Sequence, residues 1–405
     1  MQINPRLETL PDYPFDRLRN LLEGINPPQN VDPISLAVGE PQQPVPAWVS
    51  DIVRDQAHRW NNYPPFAGSP ELRTAIAGWL DRRFGLTSSD IDPQAHILAC
   101  AGSREALYLL PTWLVPETKN GKRPVVAMPN PFYHVYGTGA LASGAEPLYL
   151  SATLETGFQP DLDQLDAETL ERLSVLFLCS PANPQGAIAS PEYLGKAIRL
   201  AREHDFVLVS DECYAEIYDH TPPPSALQVC RDMAARSGSG VRSPYDRVIA
   251  INSLSKRSNG AGLRSGFIAG DPVIIDGFGR FRSYIAASIP LPIDSASVAL
   301  WNDDEHVDAI RAYYRRNIDV AESIIGDRFG FYRPQGGFFL WLDTGNGEAA
   351  TKTLWQDAGV KVLPGAHTSR ETALGVNPGD AYIRIALVND EAIIRTACER
   401  LVKVL

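Results

Sequence analysis

Short apolar runs alternate with amphipathic segments through the middle of this 405-residue chain. The runs 174–180, 206–212 and 246–253 have the continuous apolar character of buried strands. Between the first two lies a segment, 190–205, with apolar residues at helical spacing. Ser190 precedes it as a predicted N-cap, and a proline follows at the first helical position. This alternation predicts parallel strands joined by right-handed crossovers, and therefore an α/β fold.

Polar residues follow each of these apolar runs. Asn183 lies in PANPQG after the first run, Asp211 and Tyr214 lie in DECY after the second, and Lys256 lies in SLSK after the third. The carboxyl ends of parallel strands meet at one edge of a sheet, where open α/β sheets bind ligands. These four side chains are therefore expected to gather at one site.

An anion site is predicted upstream, in HILACAGSREALYLL. This stretch indicates a strand, a tight turn at Gly102 and a helix that begins near Ser103 and Arg104. The free amide groups at a helix N-terminus bind anions, and phosphate is the obvious candidate. Three further side chains are expected to converge on the same anion: Ser253, Ser255 and Arg264.

A phosphate pocket beside an amine, a carboxylate and a phenol suits pyridoxal 5'-phosphate, whose aldehyde forms a Schiff base with a lysine. Lys256 is the predicted Schiff-base lysine and the base that moves the substrate's α-proton. Asp211 is expected to pair with the pyridine nitrogen, because an opposite charge favours the protonated form. Asn183 and Tyr214 are expected to bond the ring hydroxyl oxygen, and Tyr133 offers a flat face for the ring.

Composition and charge exclude several other classes of protein. The net charge is −11, the pI is near 5.2 and no basic run is present, which argues against a nucleic-acid partner. The five cysteines form no CxxC pair, and the histidines show no metal-binding spacing, so neither a disulfide framework nor a metal site is predicted. No apolar run approaches a membrane span, which favours a cytoplasmic enzyme of two or three domains.

Nine blocks of the sequence, in order, resemble the class I/II aminotransferases of pyridoxal-phosphate-dependent fold type I. They include LAVGEPQQPVP, SPANPQG, SDECYAEIY, SLSKRSNGAGLRSGF and YIRIALV. The resemblance implies an α/β fold with a mostly parallel central sheet, helices on both faces and a smaller α+β domain. It also implies an N-terminal segment at 1–46 that joins the small domain, a large cofactor-binding domain at 47–289, and a small C-terminal domain at 290–405.

The same resemblance implies roles for residues outside the strand ends. Gly39 and Arg384 would hold the α-carboxylate of the substrate, and Tyr63 would reach the phosphate in the neighbouring subunit. The expected partners are amino acids and 2-oxo acids, in a homodimer with shared active sites. Considered alone, Arg384 could face solvent from a strand, and Tyr63 and Tyr133 could simply pack.

Within the family, the opening block NPRLETLPDYPFDRLRNLLEG and the terminal block VLPGAHTSRETALGVNPGDAYIRIALV resemble the proteobacterial N-succinyl-LL-diaminopimelate aminotransferases. This likeness implies amino transfer between glutamate and N-succinyl-2-amino-6-oxopimelate in lysine and diaminopimelate biosynthesis. GAGLRSGF and SYIAASIPLP depart from that type. Arg257 either contributes to binding of the distal anion or faces away from the pocket.

Four alternatives remain open. The first is an aminotransferase specific for aspartate, alanine or aromatic amino acids, and the second is a carbon–sulfur β-lyase on the same fold. The third is a pyridoxal-phosphate-binding regulator, although the chain has no room for a helix-turn-helix domain before its first family block. The fourth is a NAD-dependent dehydrogenase, suggested by GTGALA at 137–142, which we interpret instead as small residues in a packed helix.

Overall fold

The computed structural model describes residues 4–8, 10–237, 243–285, 288–372 and 375–405. Its strands, β1 to β12 in chain order, are Ile34–Ser35, Ile97–Cys100, Val125–Asn130, Glu146–Ser151, Leu173–Cys179, Val207–Asp211, Val248–Ser253, Gly266–Gly270, Phe339–Asp343, Val360–Lys361, Leu363–Pro364 and Tyr382–Ala386.

The helices, α1 to α16 in chain order, are Pro5–Glu8, Pro14–Leu21, Trp48–Asp55, Pro70–Phe84, Pro93–His96, Ser103–Leu114, His134–Ser143, Ala167–Arg172, Pro191–Glu203, Ala226–Ser237, Leu254–Arg257, Pro272–Arg282, Leu291–Asn302, Glu305–Ile325, Gly347–Ala358 and Glu391–Val404. Within the described ranges, no helix has the length and apolar content that a bilayer span requires. The cytoplasmic location stays a prediction.

A seven-stranded sheet in the order β2-β8-β7-β6-β5-β3-β4 forms the centre of the molecule. The pairs β3–β4, β3–β5, β5–β6 and β6–β7 are parallel, and only β8 runs antiparallel to its neighbours β2 and β7. The three predicted strands are confirmed as β5, β6 and β7, adjacent and parallel. Their apolar runs are continuous because both faces of the sheet are covered.

Alternate residues of β5 separate the two faces. Leu176 and Leu178 belong to the core beneath α4, α9, α10 and α13, whereas Val175 and Phe177 belong to the core beneath α6, α7 and α12. Helices therefore cover both faces, as predicted. The side chain of Ser190 accepts a hydrogen bond from the backbone of Tyr193 and caps α9 at its predicted start.

The GTGALA segment lies inside α7, which confirms the interpretation of small residues in a packed helix. A Cβ on Gly139 would lie 2.9 Å from the carbonyl oxygen of Tyr108 in α6. The small residues thus let α6 and α7 approach closely. Since the segment opens no strand-to-helix turn, it offers no dinucleotide fingerprint.

A smaller antiparallel sheet, β11-β12-β9, packs with α14, α15 and α16 around a separate core. The N-terminal segment joins this unit, because β1 pairs with β10 through Ile34 and Val360, and Leu36 accepts a bond from the backbone of Ala386. Trp301 of α13 lies in the core of the large sheet. The boundaries at residues 46 and 289 stay a prediction.

Candidate active site

A cavity of about 540 Å³ opens at the carboxyl edge of the large sheet, between the ends of β5 and β6, the N-terminus of α6 and strand β12. It brings together eleven of the predicted site residues: Gly39, Ser103, Arg104, Tyr133, Asn183, Asp211, Tyr214, Ser255, Lys256, Arg264 and Arg384. Two predicted residues, Ser253 and Tyr63, do not line it in this chain. No group of three or more metal-ligating side chains exists among the described residues.

Asp211 ends β6 and is buried at the floor of the cavity. Its Oδ2 accepts a 2.6 Å hydrogen bond from the hydroxyl of Tyr136, and its Oδ1 accepts a 3.2 Å bond from the backbone amide of Cys213. Burial raises the pKa of this carboxyl, whereas the bonds from Cys213 and Tyr136 lower it. A cationic partner in the cavity would restore the charged form.

Tyr136 is a site residue that the sequence analysis did not single out. Its ring stacks on Phe177 at a centroid distance of 4.6 Å and an interplanar angle of 8°. The stacking aims its hydroxyl at Asp211 from α7, on one face of the sheet. No sequence signal separates this tyrosine from its packed aromatic neighbours, because the contact joins segments 75 residues apart.

Lys256 lies in α11, the four-residue helix that directly follows β7. Its Nζ donates a hydrogen bond to the carbonyl oxygen of Gly39 and lies 5.3 Å from the centroid of the Phe338 ring. Burial, together with the positive charges of Arg384 and Arg104, lowers the pKa of the amine to about 8. About a tenth of the amine is therefore uncharged at pH 7.

The predicted anion cradle is present at the N-terminus of α6. Gly102, at φ +81°, turns the chain into the helix, and no side chain caps the helix there. A Cβ at this position would lie 2.3 Å from Nη2 of Arg264, so only glycine lets that guanidinium approach the turn. Arg264 donates to the carbonyl oxygens of Ala261 at 2.8 Å and Ala101 at 3.2 Å.

Ser255 lines the cavity, whereas Ser253 is fully buried behind it. The hydroxyl of Ser253 donates to the carbonyl oxygen of Ser265 at 3.0 Å and lies 2.9 Å from the Ser255 hydroxyl. It also accepts the backbone amide of Ser255 at 3.1 Å, as the N-cap of α11. The geometry therefore gives Ser253 a supporting place rather than a place in the cavity wall.

Arg384 of β12 is buried and does not face solvent. Its Nη2 donates to the carbonyl oxygen of Ala37 at 2.8 Å, and its Nη1 lies 3.3 Å from Oδ1 of Asn183. Its Nε is buried without a hydrogen-bond partner, and the described residues place no carboxylate within 4.0 Å of it. Burial lowers the pKa of this guanidinium to about 10. An orphaned buried donor of this kind indicates room for an anion.

Gly39 lines the same cavity as Arg384, and a Cβ on it would lie 2.4 Å from Cζ of Phe339. Only a glycine leaves the Phe339 ring in place, with the Arg384 guanidinium 4.4 Å from the ring centroid. Both residues therefore lie beside the Phe339 ring, and their expected role in holding the α-carboxylate stays a prediction.

The outer part of the cavity is formed by residues that the sequence analysis did not single out. Tyr13 and Phe15 of the N-terminal segment line it, as does His134, whose ring lies 4.9 Å from that of Tyr13. Burial lowers the pKa of His134 to about 4, and the charges of Arg104, Arg384 and Arg370 add to this effect. His134 is therefore neutral near pH 7.

Three guanidinium groups near this outer part have no carboxylate within 4.0 Å among the residues that the structure describes: Arg17, Arg104 and Arg370. Arg104 donates to the hydroxyl of Tyr133 at 2.8 Å, and Arg370 lies 5.3 Å from the centroid of the Phe132 ring, which lines the cavity. Arg17 donates to the carbonyl oxygen of Ala366 at 3.1 Å. The charges of Arg104, Arg384 and Arg370 all act on His134, and the acidic residue Glu40 lines the same cavity.

Arg257 and Tyr63 lie away from the cavity of this chain. Arg257 is 1% exposed, bonds Asp304 and does not line the cavity, so of its two expected positions it takes the one that faces away. It faces away because consecutive residues of a helical turn point about 100° apart. Tyr63 is 100% exposed, a position open to a neighbouring subunit.

Together the cavity offers an uncapped helix N-terminus, a buried carboxylate, an amine with a lowered pKa and an arginine with an unused donor. This set fits pyridoxal phosphate with a carboxylate-bearing substrate. Ser103, Ser255 and Arg264 would hold the phosphate, Lys256 would attach the cofactor, and Asp211 would pair with its ring nitrogen.

Comparisons with known proteins agree with this geometry. The family model for aminotransferase class I and II matches residues 31–401. The chain is 32% identical over 404 residues to an LL-diaminopimelate aminotransferase of Desulforudis audaxviator, with 98% of this chain and 96% of that protein covered. It is 33% identical to the 4-dedimethylamino-4-oxo-anhydrotetracycline transaminase OxyQ of Streptomyces rimosus, with 98% and 100% covered.

Among solved structures, an aminotransferase of Neisseria meningitidis superposes with a TM-score of 0.92 at 36% identity, covering 99% of both chains. The aminotransferase AspB of Helicobacter pylori gives a TM-score of 0.86 at 35% identity, with 99% of this chain and 98% of that chain covered. With the family model matched over nearly the whole length, the chain belongs to the class I and II aminotransferases, which depend on pyridoxal phosphate.

Proposed function

We propose that this aminotransferase transfers an amino group between glutamate and a diaminopimelate-type substrate. The single observation that carries the proposal is the cavity in which the buried amine of Lys256, the carboxylate of Asp211 and the unused donor of Arg384 meet. The guanidinium groups of Arg104 and Arg370, which both act on His134 in the cavity wall, suit a substrate with a second anionic group.

The residues divide the work as follows. Bound pyridoxal phosphate supplies the electron sink for the charge that develops at the substrate's α-carbon. Lys256 attaches the cofactor and, once released, carries the α-proton, a task that suits an amine with a pKa of about 8. Asp211 holds the proton on the ring nitrogen, and Asn183 and Tyr214 bond the ring oxygen.

The remaining groups orient cofactor and substrate. Arg384 would hold the α-carboxylate with its free Nε and one terminal nitrogen, in the planar geometry that an arginine fork provides. Gly39 leaves space beside it. Tyr133 would face the cofactor ring, with its hydroxyl fixed by Arg104.

The substrate is a diaminopimelate-type molecule in this proposal because two arguments agree on that skeleton. The opening and terminal sequence blocks favour N-succinyl-2-amino-6-oxopimelate, whereas several relatives are named LL-diaminopimelate aminotransferases. We place LL-diaminopimelate first and the succinylated compound second. Both carry a distal anion that the guanidinium groups of Arg17, Arg104 and Arg370 can attract.

A homodimer with shared active sites completes the proposal. Trp60, Tyr63 and Phe66 are exposed by 54%, 100% and 48%, as large apolar side chains in one short segment. Exposed apolar groups of this size mark interaction surfaces. Tyr63 would then reach the phosphate in the site of the neighbouring subunit.

Covalent attachment of the cofactor tests the role of Lys256. Borohydride should fix the cofactor to Lys256, and the rate of attachment to the apoprotein should rise with pH through about 8, because the free amine is the nucleophile. Mass mapping and stopped-flow absorbance measure both effects. Lys256→Ala should abolish attachment, while Lys196→Ala, which removes a surface partner of Asp163, should not. An adduct on another lysine would contradict the assignment.

Tyr136→Phe tests the hydrogen bond to Asp211 while keeping the ring stacked on Phe177. Without this donor the pKa of Asp211 should rise, so the acid limb of the kcat/KM profile should move to higher pH. A lost bond to a charged group, about 1.5–3 kcal/mol, corresponds to a loss of roughly tenfold to hundredfold in kcat/KM. Tyr193→Phe, which loses a buried bond to Pro160 far from the site, is the control. An unchanged acid limb would show that Tyr136 only packs.

A substrate panel tests the specificity. Amino transfer to 2-oxoglutarate should be fastest from LL-diaminopimelate or its N-succinyl derivative, and slower from aspartate, alanine and aromatic amino acids. Arg370→Ala should raise KM for the two diaminopimelate compounds by about tenfold and leave alanine unaffected. Arg280→Ala, which removes an exposed partner of Asp276, is the control. Preference for alanine would contradict the proposed substrate and leave the aminotransferase class. Release of pyruvate and sulfide from cysteine as the main activity would favour a β-lyase, and only the cofactor assignment would remain.

Hybrid dimers test the shared site. A mixture of inactive Tyr63→Ala and Lys256→Ala variants should recover about a quarter of wild-type activity, because one site of each hybrid combines an intact Lys256 with an intact Tyr63. Mixing Asp211→Asn with Lys256→Ala should recover none, since both residues belong to the same chain's site. Equal behaviour of the two mixtures, after proven subunit exchange, would contradict a site shared between chains.

A further inference from the structure

The two residues after Lys256 are directed away from the cavity and bind the junction between α13 and α14. Arg257 donates from Nη1 to the carbonyl oxygen of Leu300 at 2.7 Å, and from Nη2 to that of Asp303 at 3.1 Å. Nη2 also lies 2.7 Å from Oδ1 of Asp304. The established aminotransferase chemistry gives this buried guanidinium no role.

Aromatic rings enclose the Arg257 side chain. Its guanidinium carbon lies 5.0 Å from the centroid of the Trp301 ring and 5.8 Å from that of Trp79. Its Nε is 3.9 Å from Glu216, itself buried. A charge buried at this depth is stable only with its partners in place, so its geometry is strongly determined.

Ser258 makes a second link to the same junction. Its hydroxyl lies 2.8 Å from Nε2 of His306, and Nδ1 of His306 contacts a carboxylate oxygen of Asp303. The order serine, histidine, aspartate resembles that of a hydrolase triad. However, Ser258 is fully buried and does not line the cavity, so no substrate can reach its hydroxyl. The link is structural.

Lys256 depends on these contacts because α11 is only four residues long. A single turn of helix is not stable by itself in water. On its N-terminal side the turn is fixed by Ser253, which accepts the amide of Ser255. On its C-terminal side the fixing contacts are those of Arg257 and Ser258.

We propose that Arg257 and Ser258 are positioning residues that hold the Lys256 amine in register with the cavity by anchoring its turn to the α13–α14 junction. This inference rests on the proposed role of Lys256 and goes beyond it, because it places part of the control of that amine outside the active site. A misplacement of about 1 Å costs up to roughly a hundredfold in rate.

Arg257→Met tests the anchor, with Arg82→Met as the matched control. Arg82 binds the same Asp304 and the carbonyl oxygen of Trp301, at 2.8 Å and 2.6 Å, but it lies on α4 and not beside Lys256. We expect Arg257→Met to lower kcat about tenfold to a hundredfold with KM for the amino donor little changed. Arg82→Met should lose thermal stability without this drop, and Arg257→Lys should restore part of the rate.

A measurement on the apoprotein separates this inference from the proposed function. The pH dependence of reductive methylation of Lys256 by formaldehyde and cyanoborohydride, followed by mass spectrometry, reports the pKa of the amine without any cofactor. In Arg257→Met, water should reach the amine and the midpoint should move upward from about 8, with Arg82→Met unchanged. If the substrate panel contradicts the proposed substrate but the methylation midpoint of Lys256 still shifts in Arg257→Met, the positioning role of Arg257 is supported independently of the substrate.

Ser258→Ala is a second variant that tests the anchor if Arg257→Met does not fold. It removes the contact of the Ser258 hydroxyl with His306 and the 3.4 Å bond that this hydroxyl accepts from Arg257. It should shift the midpoint and kcat in the same direction by a smaller factor, about threefold in kcat. Wild-type values of midpoint and kcat in Ser258→Ala would overturn the proposal. Equal losses of kcat in Arg82→Met and Arg257→Met would also overturn it, since they would show that Arg257 affects the rate only through the stability of the fold.

Discussion

The burial of the Lys256 amine is the constraint on which the rest of the site depends. Taking an ammonium group out of water is costly unless it is paired, and no carboxylate among the described residues lies within 4.0 Å of this one. The carbonyl of Gly39 is its hydrogen-bond partner, and Arg384 and Arg104 repel its positive charge. The amine is therefore held close to deprotonation by surroundings that must themselves be rigid.

That rigidity comes from strand register. In the parallel part of the sheet, Asp211 of β6 lies beside Ile251 of β7, two residues before the end of that strand and the Lys256 turn. On the other side of β7, Ser253 pairs with Gly266 of β8, which in turn pairs with Cys100 of β2, just before the anion cradle. Carboxylate, amine and cradle are thus spaced by hydrogen-bonded ladders, whose geometry varies little.

The sequence predicted the parts of the site that these ladders position. Asn183, Asp211 and Lys256 each follow an apolar run directly, so their common edge could be derived from strand periodicity. Tyr136 and Arg370 could not be predicted, because each depends on packing between segments distant in the chain and neither follows a strand. Arg257 was ambiguous for a different reason: it is next to Lys256 in sequence, but only side-chain direction on a one-turn helix decides what it contacts.

Net charge was equally uninformative about the cavity. A chain of net charge −11 suggests no affinity for anions, yet the charges of Arg104, Arg370 and Arg384 together lower the pKa of His134 in the cavity wall. The local charge near a binding site depends on a few side chains that have no oppositely charged partner there. The net charge of the whole chain depends mainly on the many charged residues of the exposed surface. Composition therefore argues against a nucleic-acid partner, which stays a prediction, and it could not reveal the guanidinium groups beside the cavity.

Catalysis and specificity are built from different parts of this molecule. The cofactor side is formed by strand ends and helix N-termini, whereas the outer side combines the N-terminal segment at Tyr13 and Phe15 with the loop that carries Thr368 and Arg370. This loop is fixed to the end of β3, because the amide of Phe132 donates to the carbonyl oxygen of Thr368 at 2.9 Å. A diaminopimelate aminotransferase and a tetracycline-pathway transaminase are equally similar to this chain, at 32% and 33% identity. Overall sequence identity therefore reflects the fold and the cofactor side that these enzymes share. The substrate must be inferred from the few charged residues of the outer side.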